Sequence, residues 1–218
     1  MSHRTDRRTF ALLALAAVAL AGAGGGGCAS SSQGERMVQS FGRTQKTLIE
    51  SRGQVVQTAD ALKSLRLFQG ETLKNGFRHY KESVAGLEKA GSEAKDRATA
   101  MREESEAHIK AWQEEMETVK DPGIKSTLEG RREAVRTNFK LLQMYAEDAR
   151  KAYGPYLQGN KDIVQALSID LSPVAVSSLS SSIDKVLAAG QALDQKLWMM
   201  QRALDNIANG VSPLPGVK

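Results

Sequence analysis

The sequence predicts an all-α protein, an elongated antiparallel coiled-coil bundle of about four long helices. Apolar residues recur in alternating steps of three and four, charged residues fill most positions between them, and Gly and Pro residues divide the pattern into four segments. Steps of three and four place the apolar residues on one stripe of a helix, which partner helices must cover. No segment shows the period-two alternation that is typical of strands, so we expect essentially none.

The first helix is expected from about Glu35 to Phe68 and carries a stripe of two unequal rows. One row holds large apolar residues and the other mostly small polar ones: Phe41, Leu48, Val55 and Leu62, then Thr44, Ser51, Thr58 and Leu65. Small side chains permit close helix approach but bury less apolar surface than leucine would. Gly70 then interrupts the pattern and is expected to end this segment.

The second helix, from about Leu73 to Val119, has the longest stripe. Its members are Phe77, Tyr80, Val84, Leu87, Gly91, Ala94, Ala98, Met101, Ser105, His108 and Trp112. At 1.5 Å per residue this helix is about 70 Å long. The short turn at Asp121-Pro122-Gly123 makes the next helix antiparallel, and this middle hairpin is expected to project beyond the outer helices.

The third helix is expected from about Ile124 to Leu167, with a seven-residue row of buried positions. The row is Leu128, Val135, Leu142, Ala149, Tyr156 and Ile163. Gly154-Pro155 lies in its middle, where proline removes one helical hydrogen bond. Either the helix kinks there or it is two helices, and the unbroken heptad phase favours the kink.

The fourth helix is expected to begin at Ser172-Pro173, an N-cap followed by proline in the first helical position. Its stripe is Val176, Leu179, Ile183, Val186, Gly190, Leu193, Leu197, Met200, Leu204 and Ile207. Gly210 and Pro213 end it, so residues 35–210 form the predicted bundle and residues 211–218 a disordered tail. The alternative architecture is a looser set of hairpins that completes its core by dimerising.

Residues 1–27 have the composition of an export signal, with a basic start, an apolar run at residues 10–21, and small residues before Cys28. The placing of Cys28 resembles a bacterial lipoprotein signal, in which that cysteine is lipidated, although Gly25 stands where leucine is preferred. The paired Arg7-Arg8 also resembles a twin-arginine export motif. The alternative is a simple secretory signal that is cut upstream, at residues 21–23.

A lipidated Cys28 would tether the bundle to a membrane through the polar residues 28–34. Ala29 replaces the aspartate that would resemble an inner-membrane retention signal, so we expect an outer-membrane lipoprotein that faces the periplasm. Residues 1–27 hold three arginines and one aspartate, which leaves 27 basic and 24 acidic residues, a net charge of +3. This balanced charge, without an arginine-rich block, argues against a nucleic-acid partner.

Few residues could carry catalysis or bind a metal. After residue 27 the chain has two histidines, His79 and His108, and one cysteine, Cys28. Glu104 lies one helical turn before His108 and could share a ligand, but a second helix would have to supply further ligands. We therefore expect no enzyme activity, no cofactor and no metal site, and we interpret Trp112 and Trp198 as packing anchors.

Three tyrosines, Tyr145, Tyr153 and Tyr156, cluster around the proline of the third helix. They are the candidate interaction residues, although tyrosines that seal a local packing defect are the simpler interpretation. The turn at residues 119–124 is the other candidate docking site.

Several soft motifs resemble an uncharacterised bacterial family of coiled-coil exported or lipid-anchored proteins, domain of unknown function 2959. They are Leu67-Phe68-Gln69-Gly70, Ala111-Trp112-Gln113-Glu114-Glu115-Met116 and Gly154-Pro155-Tyr156-Leu157, within residues 37–209. The resemblance implies no activity or catalytic residue. The expected function is a structural scaffold or an adaptor for an unidentified envelope protein, with self-association left open, and the alternative is a chaperone-like module that binds periplasmic clients.

Overall fold

Helices make up nearly all of the described chain. The computed structural model describes the backbone of residues 28–211 and the side chains of residues 35–208. The helices are α1 (Cys28–Ser64), α2 (Gly70–Met116), α3 (Pro122–Ile169), α4 (Pro173–Ser178) and α5 (Ser180–Val211), with a 3-10 turn at Leu65–Leu67. Residues 28–211 contain no strand, which confirms the all-α prediction. The expected export signal and residues 212–218 lie outside the described residues.

The four long helices form an antiparallel bundle in which α1 packs against α2 and α5, and α3 packs against the same two helices. Ser40 of α1 contacts Glu104 of α2. Cys28 lies twelve residues before Ser40, and Met116 lies twelve residues after Glu104, so in antiparallel helices these two residues are at the same level. The α2–α3 hairpin therefore does not project beyond α1, but it extends past Val211, the last described residue of α5, because Asp205 of α5 lies beside Gln45 of α1. The turn between α2 and α3 lies at the same end as Cys28, which we call the Cys28 end.

The opposite end is formed by the 3-10 turn, the last residues of α3, and α4, and we call it the distal end. Arg66, the middle residue of the 3-10 turn, donates a hydrogen bond of 2.6 Å to Asp184 near the start of α5. The 3-10 turn also contacts α4. Because α1 has 37 residues, the two ends are separated by about 55 Å at 1.5 Å per residue.

Most helix boundaries lie within about four residues of those expected, and two differ by more. α1 begins at Cys28 rather than near Glu35, so it includes the residues predicted to be a polar tether, because extending an existing helix needs no new nucleus. The expected fourth helix is divided at Leu179 into the short α4 and the long α5. Serine hydroxyls compete for backbone hydrogen bonds, which explains a break within the serine-rich stretch at residues 177–182.

α3 is continuous through Pro155, so the two-helix alternative is wrong. Buried residues on both sides of the proline, Ala149, Tyr156 and Ile163, hold the helix against its neighbours despite the lost hydrogen bond. The helix begins at Pro122, two residues before the expected start at Ile124, and the Asp121 carboxylate caps it by accepting a hydrogen bond of 2.9 Å from the Ile124 backbone N–H.

Candidate functional site

A buried hydrogen-bonded network crosses the middle of the bundle. The Tyr80 hydroxyl of α2 donates to Oδ1 of Asn160 at 2.8 Å, and the Asn160 amide donates to the Tyr156 carbonyl at 2.8 Å within α3. The Tyr156 hydroxyl donates to the Val55 carbonyl of α1 at 3.1 Å. The network therefore joins α1, α2 and α3 at one level.

Burial determines the chemistry of this network. Tyr80, Tyr156 and Asn160 are fully buried. Burial raises the pKa of Tyr80 well above its ordinary value and raises the pKa of Tyr156 to about 12, so both phenols stay neutral near neutral pH. These groups fix helix alignment, and Tyr156 is not accessible to a partner in this fold. Asn160 could have been noticed in the sequence as a polar residue one helical turn after Tyr156.

The other two candidate tyrosines lie in different environments. The Tyr153 hydroxyl donates to the Leu87 carbonyl at 3.2 Å, and its ring covers Gly91 on α2. Burial, followed by the nearby Glu88 carboxylate, raises the pKa of Tyr153. Tyr145 is half-buried and faces the space between α3 and α5. The three tyrosines around Pro155 therefore do not form one surface.

Tyr145 belongs to an open groove of about 180 Å³ between α3 and α5, which we call the α3–α5 groove. Its lining residues are Asn138, Leu141, Tyr145, Trp198, Met199, Arg202, Ala203 and Asn206. The Arg202 guanidinium carbon lies 5.4 Å from the centre of the Trp198 ring, within the range of a cation–π contact.

Trp198 is not the packing anchor that we expected. Its side chain is 46% exposed, because Leu197 and Met200 take the adjacent core-facing positions of α5. An aromatic residue beside an arginine in an apolar groove is a composition typical of protein interfaces. Trp112, the other expected anchor, is half-buried and packs against the core.

The distal end carries the most exposed large apolar residues of the described chain. Leu67 is 81% exposed, Ile169 is 83% exposed and Val174 is 74% exposed. They come from three elements at this end, the 3-10 turn, the end of α3 and α4, and the 3-10 turn contacts α4. None belongs to a heptad row, so the sequence pattern gave no reason to single them out.

Glu104 does not face His108 as a shared ligand pair. Its carboxylate accepts hydrogen bonds from the Ser40 hydroxyl and from the Arg97 guanidinium, and Arg97 also donates to Ser40 at 2.7 Å. Burial alone would raise the pKa of Glu104, but these hydrogen bonds and the positive charges of Arg97 and Arg43 lower it overall. The carboxylate therefore stays ionised and joins α2 to α1.

His108 packs beside Trp112, with ring centres 5.9 Å apart. Burial lowers the pKa of His108, so the imidazole is neutral near neutral pH. Within the described residues, no group of three or more His, Cys, Asp or Glu side chains is arranged to hold a metal ion.

A wider depression of about 460 Å³ lies between α1 and α2 near their connecting turn. Its lining includes Gly53, Val56, Asp60, Phe68 and His79. It is open to solvent, whereas most ligand sites are clefts that enclose their ligand.

The helices described by the structure include none that is long and apolar enough to cross a membrane. No curated protein and no solved structure matches the chain. The family model described as "Protein of unknown function (DUF2959)" matches residues 30–211, which covers all of the bundle except the first two residues of α1. This match extends over most of the sequence, and the chain therefore belongs to the DUF2959 family.

Proposed function

We propose that this protein is a lipid-anchored, non-enzymatic adaptor of the cell envelope that docks a protein partner at its distal end. The observation that supports this most directly is the exposure of Leu67, Ile169 and Val174 at one end of the bundle. Large apolar side chains that are exposed at the same end of a bundle place apolar area in water, and exposed apolar patches mark interaction sites. A partner that covers them would remove that cost.

The position of Cys28 supports the same proposal. Cys28 begins α1 at the end of the bundle opposite Leu67. If Cys28 is acylated, that end is held at the periplasmic face of the outer membrane, and the distal end stands about 55 Å away. Two or more acyl chains are enough for a stable anchor. The turn at residues 119–124 would then lie close to the membrane, which makes it a poorer docking site for a partner.

The chemistry of the distal end fits a protein better than a lipid surface. Its exposed side chains are aliphatic, without the tryptophan or tyrosine that membrane interfaces favour. Arg66 is bonded to Asp184 and to the Ser180 carbonyl, so its charge is already engaged. The exposed charges nearby are of both signs, with Lys63 and Lys185 positive and Asp170 negative. This end therefore has no basic cluster that would attract an anionic bilayer, whereas an apolar helix or loop of another protein would fit.

The test is recovery of partners from the native envelope with a tagged full-length protein, crosslinked before extraction. The test variant combines Leu67→Ser, Ile169→Ser and Val174→Ser. Its matched control combines Ile49→Ser and Val56→Ser, which removes two aliphatic residues of 53% and 49% exposure from the side of α1. We expect the distal variant to lose most of the recovered partner and the control to keep it.

A Cys28→Ala variant tests the anchor, since loss of the lipid should release the protein from the membrane and reduce partner recovery. Equal recovery with the distal variant and with the unchanged protein would exclude the distal end as the docking site. Recovery of a heterogeneous set of unfolded proteins would instead favour the chaperone-like alternative. Self-association would appear in the same experiment as a crosslinked product of two chains.

A further inference from the structure

Five large apolar side chains that are exposed away from the distal end lie on one face of the bundle, formed by α1, α5 and α3. We call it the Trp198 face, and its members are each 40–53% exposed: Ile49, Val56, Leu141, Met144 and Trp198. Leu141 and Trp198 already share the α3–α5 groove. We propose that the Trp198 face is the interface of a parallel homodimer, in which the same face of a second copy of the chain covers it.

The contact between α1 and α5 places two members of the face beside Trp198. Arg52 of α1 bonds both carboxylate oxygens of Asp194 on α5, at 2.8 and 3.2 Å. Ile49 and Val56 precede and follow Arg52 by one helical turn, and Trp198 follows Asp194 by one turn, so all three flank this ion pair. Each of the three is exposed, and the residue just before each of them is buried, so all three lie on the solvent side of the pair.

The contact between α5 and α3 places the other two members at the same height. Lys196 of α5 lies 3.6 Å from the Asp148 carboxylate of α3. Met144 precedes Asp148 by four residues, and Trp198 follows Lys196 by two. In antiparallel helices Met144 and Trp198 therefore differ in height by two residues, about 3 Å. Leu141, one turn before Met144, lies on the same side of α3.

This arrangement is self-complementary. Ile49 on α1 and Met144 on α3 lie on opposite sides of Trp198, both within about 5 Å of its height. A two-fold axis that runs parallel to the bundle in front of Trp198 places α1 of each copy opposite α3 of the other. Ile49 of each copy then meets Met144 of the other, and the two Trp198 rings lie near the axis. Two-fold dimers with such isologous interfaces are the commonest soluble oligomers.

The apolar area of the Trp198 face fits an interface of ordinary size. Its five side chains, each about half exposed, together present on the order of 400–500 Å². A standard interface buries about 800 Å² on each partner, and somewhat more than half of that area is apolar. The face therefore has the apolar area that a stable dimer needs.

The charges beside the face do not oppose its burial. Two ion pairs, Arg52 with Asp194 and Lys196 with Asp148, neutralise the charged groups that join these helices. Arg202 is exposed, and its guanidinium packs on the indole ring of the face. Guanidinium groups stack on aromatic rings, and arginine is enriched at interfaces. Covering the face therefore isolates no carboxylate.

A parallel dimer brings the Cys28 ends of both copies to the same side, as two chains anchored in one membrane require. Only this orientation rests on the proposed lipid anchor, since the apolar face itself is independent of it. Both distal ends remain free in the dimer. Docking at the distal end and pairing through the Trp198 face are therefore separate, and loss of one should leave the other in place.

Sedimentation equilibrium of the full chain tests the dimer, with Cys28→Ala to remove its only cysteine. We expect the mass of two chains at about 100 μM. Combining Met144→Ser with Trp198→Ser should raise the dimer dissociation constant by about tenfold or more, because a central tryptophan commonly carries much of the binding energy. The matched control is the distal variant used for partner recovery, which also removes exposed aliphatic side chains and should leave the dimer unchanged.

Disulfide formation between copies tests the arrangement. Two single-cysteine chains, Ile49→Cys and Met144→Cys in the Cys28→Ala background, are mixed in equal amounts under mild oxidation. The parallel two-fold predicts that the mixed disulfide forms faster than either like pair. The control replaces Met144→Cys with Asp96→Cys, an exposed position on α2 at almost the same height as Ile49, and should form little mixed disulfide.

A single-chain mass at about 100 μM would overturn the dimer. So would a dimer that the Met144 and Trp198 substitutions leave unchanged, or one that only the distal variant abolishes, since the distal end would then be the surface that self-associates. Faster formation of the like disulfides would exclude the parallel arrangement. Crosslinking keeps Trp198 intact, so it remains decisive if Trp198→Ser unfolds the chain.

Discussion

Among single residues, Ser83 is the clearest position at which a substitution should stabilise the protein. Its side chain is 3% exposed, and its hydroxyl has no hydrogen-bond partner in the described part of the chain. A buried polar group without a partner costs about 1–3 kcal/mol. Ser83→Ala removes that group, and the Ser83 carbonyl keeps its bonds from Thr58 and Gln54. We expect the variant to be more stable by about 1 kcal/mol.

Urea unfolding measures this effect as a higher midpoint with an unchanged slope. Ser105→Ala is the matched control, because Ser105 is also buried on α2 but its hydroxyl donates to the Met101 carbonyl at 2.6 Å. The control should be neutral or less stable than the unchanged protein. A lower midpoint for Ser83→Ala would show that its hydroxyl has a partner that offsets burial.

The sequence predicted the buried rows more successfully than the sites. Val55, Leu142 and Leu197 are buried as their heptad positions require. The position of Trp198 was wrongly predicted because periodicity locates the centre of an apolar stripe. The width of the stripe that is buried depends on how closely the neighbouring helix approaches. The contact of Tyr80 with Asn160 joins residues 80 positions apart, and nothing in local spacing encodes such a pair.

At the scale of the helical elements, the close approach of α3 and α5 depends on Gly190. A Cβ added at Gly190 would lie 2.8 Å from a ring carbon of Tyr156. The ring cannot easily move, because it is fully buried and its hydroxyl is bonded to the Val55 carbonyl. We expect Gly190→Ala to destabilise the protein by about 1–3 kcal/mol, the usual cost of overpacking a core.

Gly130→Ala is the matched control for that substitution. Gly130 is also within a helix, but a Cβ there would meet nothing within 4 Å. The control should stabilise the protein by about 0.5–1 kcal/mol, since alanine is the better helix former. Thermal or urea unfolding of the two variants compares them directly. If both substitutions stabilised the protein, the prediction would be wrong, because Tyr156 and α5 could then move apart without a loss of free energy.

The four long helices and their directions followed from the sequence, whereas the division of the expected fourth helix into α4 and α5 and several helix ends did not. Ser172 caps α4 as the sequence predicted, whereas Asp121, which was predicted only as part of a turn, also caps α3. The start of α1 and the break at Leu179 depend on weak propensities, which tertiary packing readily overrides. The continuity of α3 through Pro155 is likewise a result of packing on both sides of the proline.

On the scale of the whole molecule, polar contacts between distant segments determine which helices are neighbours. Arg52 of α1 bonds both carboxylate oxygens of Asp194 on α5, at 2.8 and 3.2 Å, and Arg97 joins α2 to α1 through Ser40. Equivalent apolar rows could pair in several ways, so such contacts add specificity that a heptad pattern lacks. The apolar rows were therefore enough to predict a bundle from the sequence, but they were not enough to predict which helices are neighbours.

We expect the whole bundle to become less stable as the pH is lowered, and His108 is the first group whose protonation contributes to this loss. Burial lowers the pKa of His108 below its ordinary value of 6.5, so the unfolded chain binds more protons between the folded and unfolded pKa values. Stability that is present above pH 6.5 is therefore lost as pH falls through the folded pKa. Glu104, whose pKa is lowered below its ordinary 4.5, adds a second loss in more acidic solution.

Urea midpoints measured between about pH 7.5 and about pH 5 isolate the contribution of His108. His108→Gln removes the titrating group and keeps a polar side chain, so we expect a smaller fall in midpoint across this range. His79→Gln controls for loss of an imidazole from the exposed face of the same helix. A fall as steep in His108→Gln as in the unchanged protein would contradict the assignment, because the proton uptake that drives it would then occur at another group.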